Sequence, residues 1–344
     1  MASVDVTIRG AGIFGLSIAW TLVQRGARVQ VVDPHGAGAG SSGGLVGALA
    51  PHVPENWNEK KAFQLESLLM AERFWQEVEA VGGVSAGYAR TGRLQPVADE
   101  AGLALARARG EGASVLWQGR AVWEVVRQSE AGPFAPVSPS GWLIRDTLSA
   151  RMHPRRACAA LVAALQAKGV SVVPEAEDAG AVIWATGWRG LVDLSKALGR
   201  KVGDGVKGQS AAFRFEAREA PQLFVGGLHI VPHADGTVAI GSTSERDFED
   251  GSALDGQCEE LIAAAREAVP GLAGAEVVSR WAGVRPRART RAPVLAGWPG
   301  RDGHFVANGG FKIGFGMAPK VAEVMADLVL NGRDEEIPEG FRLG

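Results

Sequence analysis

Cysteine is almost missing from this chain. Two thiols, Cys158 and Cys258, stand far apart in 344 residues, a spacing that fits neither a zinc site nor a CxxC redox pair and points to buried thiols in a reducing cytoplasm. Charge of one sign is not in excess either: 36 Lys and Arg against 38 Asp and Glu leave a net charge of −2 and a pI near 6.3. The chain therefore offers no electrostatic footprint to nucleic acid or an anionic membrane. Nowhere does an apolar run reach the ~18 residues that a membrane span needs, and the first residues carry neither the basic segment nor the cleavage site of a secretory signal. Tyrosine occurs once, at Tyr88. What these absences leave is a soluble, cytoplasmic protein whose natural partners are small neutral or anionic molecules.

Glycine, by contrast, is abundant: 47 residues, beside a hydrophobic fraction of 46%. That combination describes a well-packed chain rich in tight turns, long enough for two domains or one large α/β domain with an inserted lobe. An apolar strand, VDVTIRG, runs straight into GAGIFG, and an amphipathic helix over 13–25 follows. In such a motif Gly10 permits the tight turn, Gly12 lets backbone amides approach a pyrophosphate, and Gly15 lets helix and strand pack closely. The phosphates sit at the helix N-terminus, where free N–H groups and the helix dipole favour an anion. Asp33 closes the next strand, VQVVD, at the distance where a carboxylate holds ribose hydroxyls and disfavours a 2′-phosphate. A dinucleotide site without NADP preference is the expectation.

A Gly- and Ser-rich stretch over 36–52 can bring backbone close to a flat ligand, and a helical pattern over 60–80 carries Leu65, Leu68, Leu69, Phe74 and Trp75 as core. From 82 to about 142 the chain reads as short pieces broken by glycine and proline. Helical and strand patterns return over 153–169, VSVV and AVIWATGW, so the N-terminal fold resumes after an insertion. A second β-rich run over 207–244 and a helix over 257–269 complete the inserted lobe. Strands VLAGWP and HFVANGG and a helix over 317–330 close the chain.

Five segments, taken in order, resemble the D-amino-acid oxidase group of FAD enzymes, above all glycine oxidase and the small bacterial D-amino-acid dehydrogenases. They are GAGIFG with Asp33, SSGGLVGALAPH, HPRRACAAL with Val173 followed by IWATGW, WAGVRPRARTRAPVLAG, and ANGGFKIGFGMAP. The resemblance implies an α/β fold in which a discontinuous Rossmann-type FAD-binding domain (1–81, 143–206 and 285–344) carries an inserted antiparallel β-rich substrate domain (82–142 and 207–284). It implies non-covalent FAD held by Gly10, Gly12, Ile13, Phe14, Gly15, Asp33 and Pro34, by Ser41, Ser42, Val46, Gly47 and Ala48, by Val173, by Ala185, Thr186, Gly187 and Trp188, and by Gly310, Phe311, Lys312, Ile313 and Gly314.

The family's carboxylate-binding arginine matches Arg285. The residues agree, since Pro286 forces Arg285 into extended backbone and a guanidinium fork suits a carboxylate. Three departures stand beside it. A second carboxylate-contacting arginine falls on Lys312, which keeps charge but loses the fork and offers another role, stabilising reduced flavin or superoxide during reoxidation. The family's active-site tyrosine falls on His229, which is either a pocket residue, pH-sensitive if it titrates near about 6.5, or a satisfied strand histidine. A pocket methionine falls on Ser244. Arg285, Arg287, Arg289 and Arg291 alternate; a turn scattering them into solvent is expected because four buried unpaired cations are too costly, and a second anionic group on the substrate is the alternative.

The resulting expectation is an FAD enzyme that oxidises the C–N bond of glycine, sarcosine or a D-amino acid to an imine by hydride transfer to flavin N5, with Arg285, Lys312 and His229 as the catalytic set and Ser244 in the pocket. Dioxygen or another electron acceptor completes the cycle, and a homo-oligomer is compatible. A dehydrogenase with a non-oxygen acceptor, a tRNA-modifying oxidase and a non-catalytic flavin-binding protein are the alternatives.

Overall fold

A computed structural model describes residues 4–343. The apolar strand β1 (Val6–Arg9) turns through Gly10 into α1 (Ile13–Gln24), and the chain returns as β2 (Val29–Val32), parallel to β1 with Val6 opposite Val29. Gly10 has φ of +108°, and a Cβ there would sit 2.4 Å from the Ala185 carbonyl oxygen; one on Gly15 would sit 1.9 Å from the Gly10 carbonyl oxygen. Neither position accepts a side chain, which is why the turn reads as glycine. Leu16, Ile18, Ala19 and Leu22 are fully buried, because α1 is enclosed between the sheet and other helices.

The chain continues through β3 (Ala48–Leu49), α2 (Glu59–Gly82), β4 (Arg93–Pro96), α3 (Glu100–Leu116), β5 (Trp123–Arg127), β6 (Trp142–Asp146) and β7 (Ala150–Arg151). Then come α4 (Pro154–Ala167), β8 (Val172–Val173), β9 (Ala181–Trp184) and α5 (Gly187–Ala197). A long β10 (Gly203–Arg214), β11 (Gln222–Val225), β12 (Leu228–Pro232), β13 (Thr237–Gly241), α6 (Gly256–Ala268) and β14 (Glu276–Ala288) follow. The last elements are β15 (Val294–Gly297), β16 (His304–Asn308) and α7 (Gly314–Asn331).

Six strands form one sheet in the order β15-β16-β9-β1-β2-β8, parallel except for the β15 edge. β9 lies directly against β1 although the first inserted segment separates them in sequence, so the Rossmann-type fold does resume there. The second sheet, β14-β10-β13-β12-β11-β4-β6-β5, is antiparallel apart from the β4–β11 pair. β3 and β7 make a short ladder of their own. Helices α1, α2, α4 and α7 pack on one another, and Trp20, Trp75 and Phe341 are buried in the same core. Among the described residues no helix is long and apolar enough to cross a membrane.

Two details depart from the sequence reading. The stretch over 82–142 holds a 17-residue helix, α3, capped by the Asp99 side chain accepting from Gly102 N at 2.8 Å. Its glycines hid it, and they are needed for contact: a Cβ on Gly112 would lie 2.5 Å from the Pro54 carbonyl oxygen. The expected boundaries at 81/82, 142/143, 206/207 and 284/285 fall inside α2, β6, β10 and β14. β6, β10 and β14 belong to the antiparallel sheet over their whole lengths, with β10 and β14 paired from Gly203 opposite Ala288 to Arg214 opposite Glu276.

Candidate active site

Where β1, β2, β9 and β16 end, their carboxyl ends meet the face of the antiparallel sheet around a cavity of about 1300 Å³. The crevice outside the carboxyl ends of parallel strands is the usual ligand position in such sheets. Of the sequence-predicted residues, all but Gly15, Val173, Ile313 and Ser244 line it.

At one end, Asp33 accepts from Ala11 N at 2.8 Å and from His35 N at 2.9 Å, so its carboxylate is locked in place at the cavity wall. The Ser42 hydroxyl accepts from Ile13 N at 2.9 Å, docking the Gly- and Ser-rich loop on the start of α1. Gly15 works behind this surface as packing, and Val173 contributes its carbonyl to the Asp33 amide at 3.0 Å. The first turns of α1 and α7 contain no acidic residue, and Gly12, Gly310 and Gly314 beside them face the cavity. Two acid-free helix starts, a fixed carboxylate and a loop of small residues fit the pyrophosphate, ribose and electron-poor ring of FAD. Cys158 and Cys258 are buried free thiols, and neither lines the cavity.

At the other end, Arg285 projects from β14 and is 8% exposed. Its Nη2 donates to the Thr243 carbonyl at 2.7 Å and the Lys207 carbonyl at 3.2 Å, and its Nη1 to the Ser242 hydroxyl. Its Nε is buried without a partner. Burial pulls its pKa down to about 10, with Glu245 acting in the opposite sense, so the group remains a cation at neutral pH. Lys207 and Glu245 behind it pair at 3.0 Å. Phe311 lies 5.3 Å from the Arg285 guanidinium and 5.8 Å from the Lys312 ammonium. Lys312 is exposed at the rim; packing around its stem and the charge of Arg285 lower its pKa.

His229 on β12 faces Phe224 directly across the hairpin, with ring centroids 4.7 Å apart. Burial, then Arg93 and Lys312, push its pKa down to about 4. The imidazole is therefore neutral in the physiological range, and the expected pH sensitivity near 6.5 is corrected. Arg93 is itself held by Asp146 at 2.9 Å in a buried pair.

Ser244 is exposed and outside the cavity. Ser242, two residues earlier, takes the place beside Arg285; β13 ends at Gly241, so the period-two alternation that would put residues 242 and 244 on one face no longer holds. The arginine run also resolves: Arg285 is buried, Arg287 half-buried against Phe311, and Arg289 and Arg291 exposed at the turn after β14. Phe224, Ser242 and Trp281 line the cavity without having been singled out as site residues. Phe224 had a readable signal, since LFV and LHIV flank a Gly-Gly turn that sets Phe224 opposite His229.

The family profile described as FAD dependent oxidoreductase (DAO) matches residues 5–328. The chain belongs to this family. FAD is accordingly its cofactor, and the protein is an FAD-dependent oxidoreductase. It is 29% identical over 379 residues to the glycine oxidase of Pseudomonas putida, covering 99% of this chain and 100% of that protein. In fold it is similar to the crystal structure of glycine oxidase from Geobacillus kaustophilus, with TM-score 0.85, 22% identity, and 99% and 98% of the two chains covered. It is equally similar to iminodiacetate oxidase from Chelativorans sp. BNC1, at TM-score 0.85 and 20% identity over 98% of each chain.

Proposed function

We propose that this family member oxidises the Cα–N bond of a small amino acid, glycine, sarcosine or a D-amino acid, to the imine. The observation that carries the reading is Arg285: a buried cation in the cavity wall, held by three protein acceptors, with Nε left over. A carboxylate supplies the missing partner and the missing charge. When bound, FAD supplies the two-electron acceptor.

The chain's own contribution is orientation. Arg285 cannot swing, because the Thr243 and Lys207 carbonyls fix its outer nitrogen, so a carboxylate docked on it places Cα in one region of the cavity. Fixing the reactants in this way accounts for several powers of ten in rate. Phe224 and Phe311 supply apolar walls that exclude water from the reacting carbon. His229 has Nδ1 buried without a partner. A buried lone pair is a smaller loss than a buried N–H, which puts the imidazole proton on Nε2, available to an acceptor on the ligand. No general base is needed if the amine binds neutral, as the nitrogen lone pair drives hydride departure.

The test is anaerobic mixing of the yellow holoprotein with glycine, sarcosine and a panel of D-amino acids while flavin absorbance is followed. Bleaching by at least one of them, abolished in an Arg285→Met protein that retains FAD, is expected. A holoprotein inert to every amine, or equal bleaching by the Arg285→Met protein, overturns the reading.

A further inference from the structure

We infer that the substrate carries a second carboxylate, held by Lys312 and His229, so that the preferred class is a dicarboxylic amine and not glycine itself. This deepens the amino-acid reading and rests on it. The arginine run, which first raised a second anion, is not the reason, because Arg289 and Arg291 are exposed at the turn after β14.

The reason is two polar corners whose cations have no ion-pair partner among the described residues. One corner is Arg285 with Ser242 at the end of β13. The other is His229, opposite Gly241 on the neighbouring strand, with Lys312 contributed by the loop between β16 and α7. Lys312 acts electrostatically on His229, and it lies 5.8 Å from the Phe311 ring that Arg285 approaches at 5.3 Å, so the cavity holds two cations side by side. Among the described residues no carboxylate lies within ion-pair distance of either Lys312 or Arg285, while Arg93 is paired with Asp146 at 2.9 Å and Lys207 with Glu245 at 3.0 Å. Glu249 and Asp250 also line the cavity, but they follow Phe248, which packs on Trp188 with centroids 6.3 Å apart on the cofactor flank. Two like charges lining one cavity, neither within ion-pair distance of an acid among the described residues, are tolerated where a ligand brings negative charge. A single carboxylate on Arg285 answers one of them. A second, on Lys312 and the Nε2 proton of His229, answers the other, and the apolar Phe224 and Phe311 rings flank the carbon chain between.

The experiment measures kcat/KM of the holoenzyme for sarcosine and D-alanine against N-(carboxymethyl)glycine and D-aspartate. The wild type should favour at least one of the two dicarboxylates by tenfold or more, and which one wins separates a second acid on nitrogen from one on the side chain. In Lys312→Met that preference ratio should fall at least tenfold, and in Lys312→Glu further. In the wild type the dicarboxylate kcat/KM should decline with added salt more steeply than the monocarboxylate value. Oxidation of monocarboxylic amines without preference for a dicarboxylate, or an unchanged ratio in Lys312→Met, overturns the second-anion inference and leaves the amino-acid reading standing. Failure of all four compounds and of the wider amine panel overturns both.

Discussion

Removing the Arg285 charge should harm catalysis far more than folding. Holding a guanidinium where burial draws its pKa from 12.5 to about 10 costs about 3 kcal/mol, and Arg285→Met relieves that penalty. Against it stands the Thr243 carbonyl, which loses its donor, worth about 1–3 kcal/mol when buried. The Lys207 carbonyl keeps the Glu245 amide at 3.0 Å, so it adds little. The two effects nearly cancel, and urea unfolding followed by tryptophan fluorescence should place the variant within about 2 kcal/mol of wild type. Catalysis has no such compensation. Truncating one member of a desolvated charge pair typically loses about 2–5 kcal/mol, which corresponds to a fall in kcat/KM of about 30- to 5000-fold.

Arg285→Lys should fall between, since it restores charge but not the planar fork that reaches Thr243 and Lys207 together. Steady-state turnover of the best substrate from the bleaching screen, measured on protein with full flavin content, provides the comparison. A variant destabilised by more than about 4 kcal/mol whose kcat/KM stays within about threefold of wild type would show that Arg285 is a structural cation, and the orientation argument would be lost.

His229 should contribute no ionisation to the rate profile between pH 5 and 8, because its pKa lies at about 4; a limb near about 6.5 that disappears in His229→Phe would contradict its burial. His233 is 2% exposed with a pKa pushed to about 4 by burial and then by His153. The unfolded chain takes up that proton near about 6.5, so stability is fully present above this pH and declines by about 3 kcal/mol as pH falls to 4; urea midpoints in wild type and His233→Gln check it, the variant showing a shallower decline. Gly15→Ala would put a Cβ 1.9 Å from the Gly10 carbonyl oxygen, so the purified protein should carry much less flavin per chain than wild type, and a normal flavin-to-protein ratio would refute the packing argument.

Legibility in this sequence followed local backbone demand. Gly10, Gly15 and Asp33 could be read because the turn, the helix–strand contact and the carboxylate position are set within one βαβ unit. Arg285 was readable from its proline neighbour and the family segment around it. The features that escaped depend on distant partners. α3 looked like loop because Gly110 and Gly112 weaken helix propensity; the compensation comes from the Pro54 and Trp123 backbones, which lie 2.5 and 3.1 Å from where those Cβ atoms would be. The family resemblance puts Ser244 in the pocket, yet β13 ends at Gly241, and beyond a strand's end alternation no longer tells which side chain faces the sheet. The protonation state of His229 was likewise invisible, because it is set by burial under the folded sheet and then by Arg93 and Lys312, which reach it from other elements. The glycines and Asp33 proposed to hold the cofactor thus belong to short-range geometry, whereas the groups proposed to choose a substrate are brought together from distant strands and loops. Among them, His229 and Lys312 are positions at which this chain departs from the family pattern that it resembles.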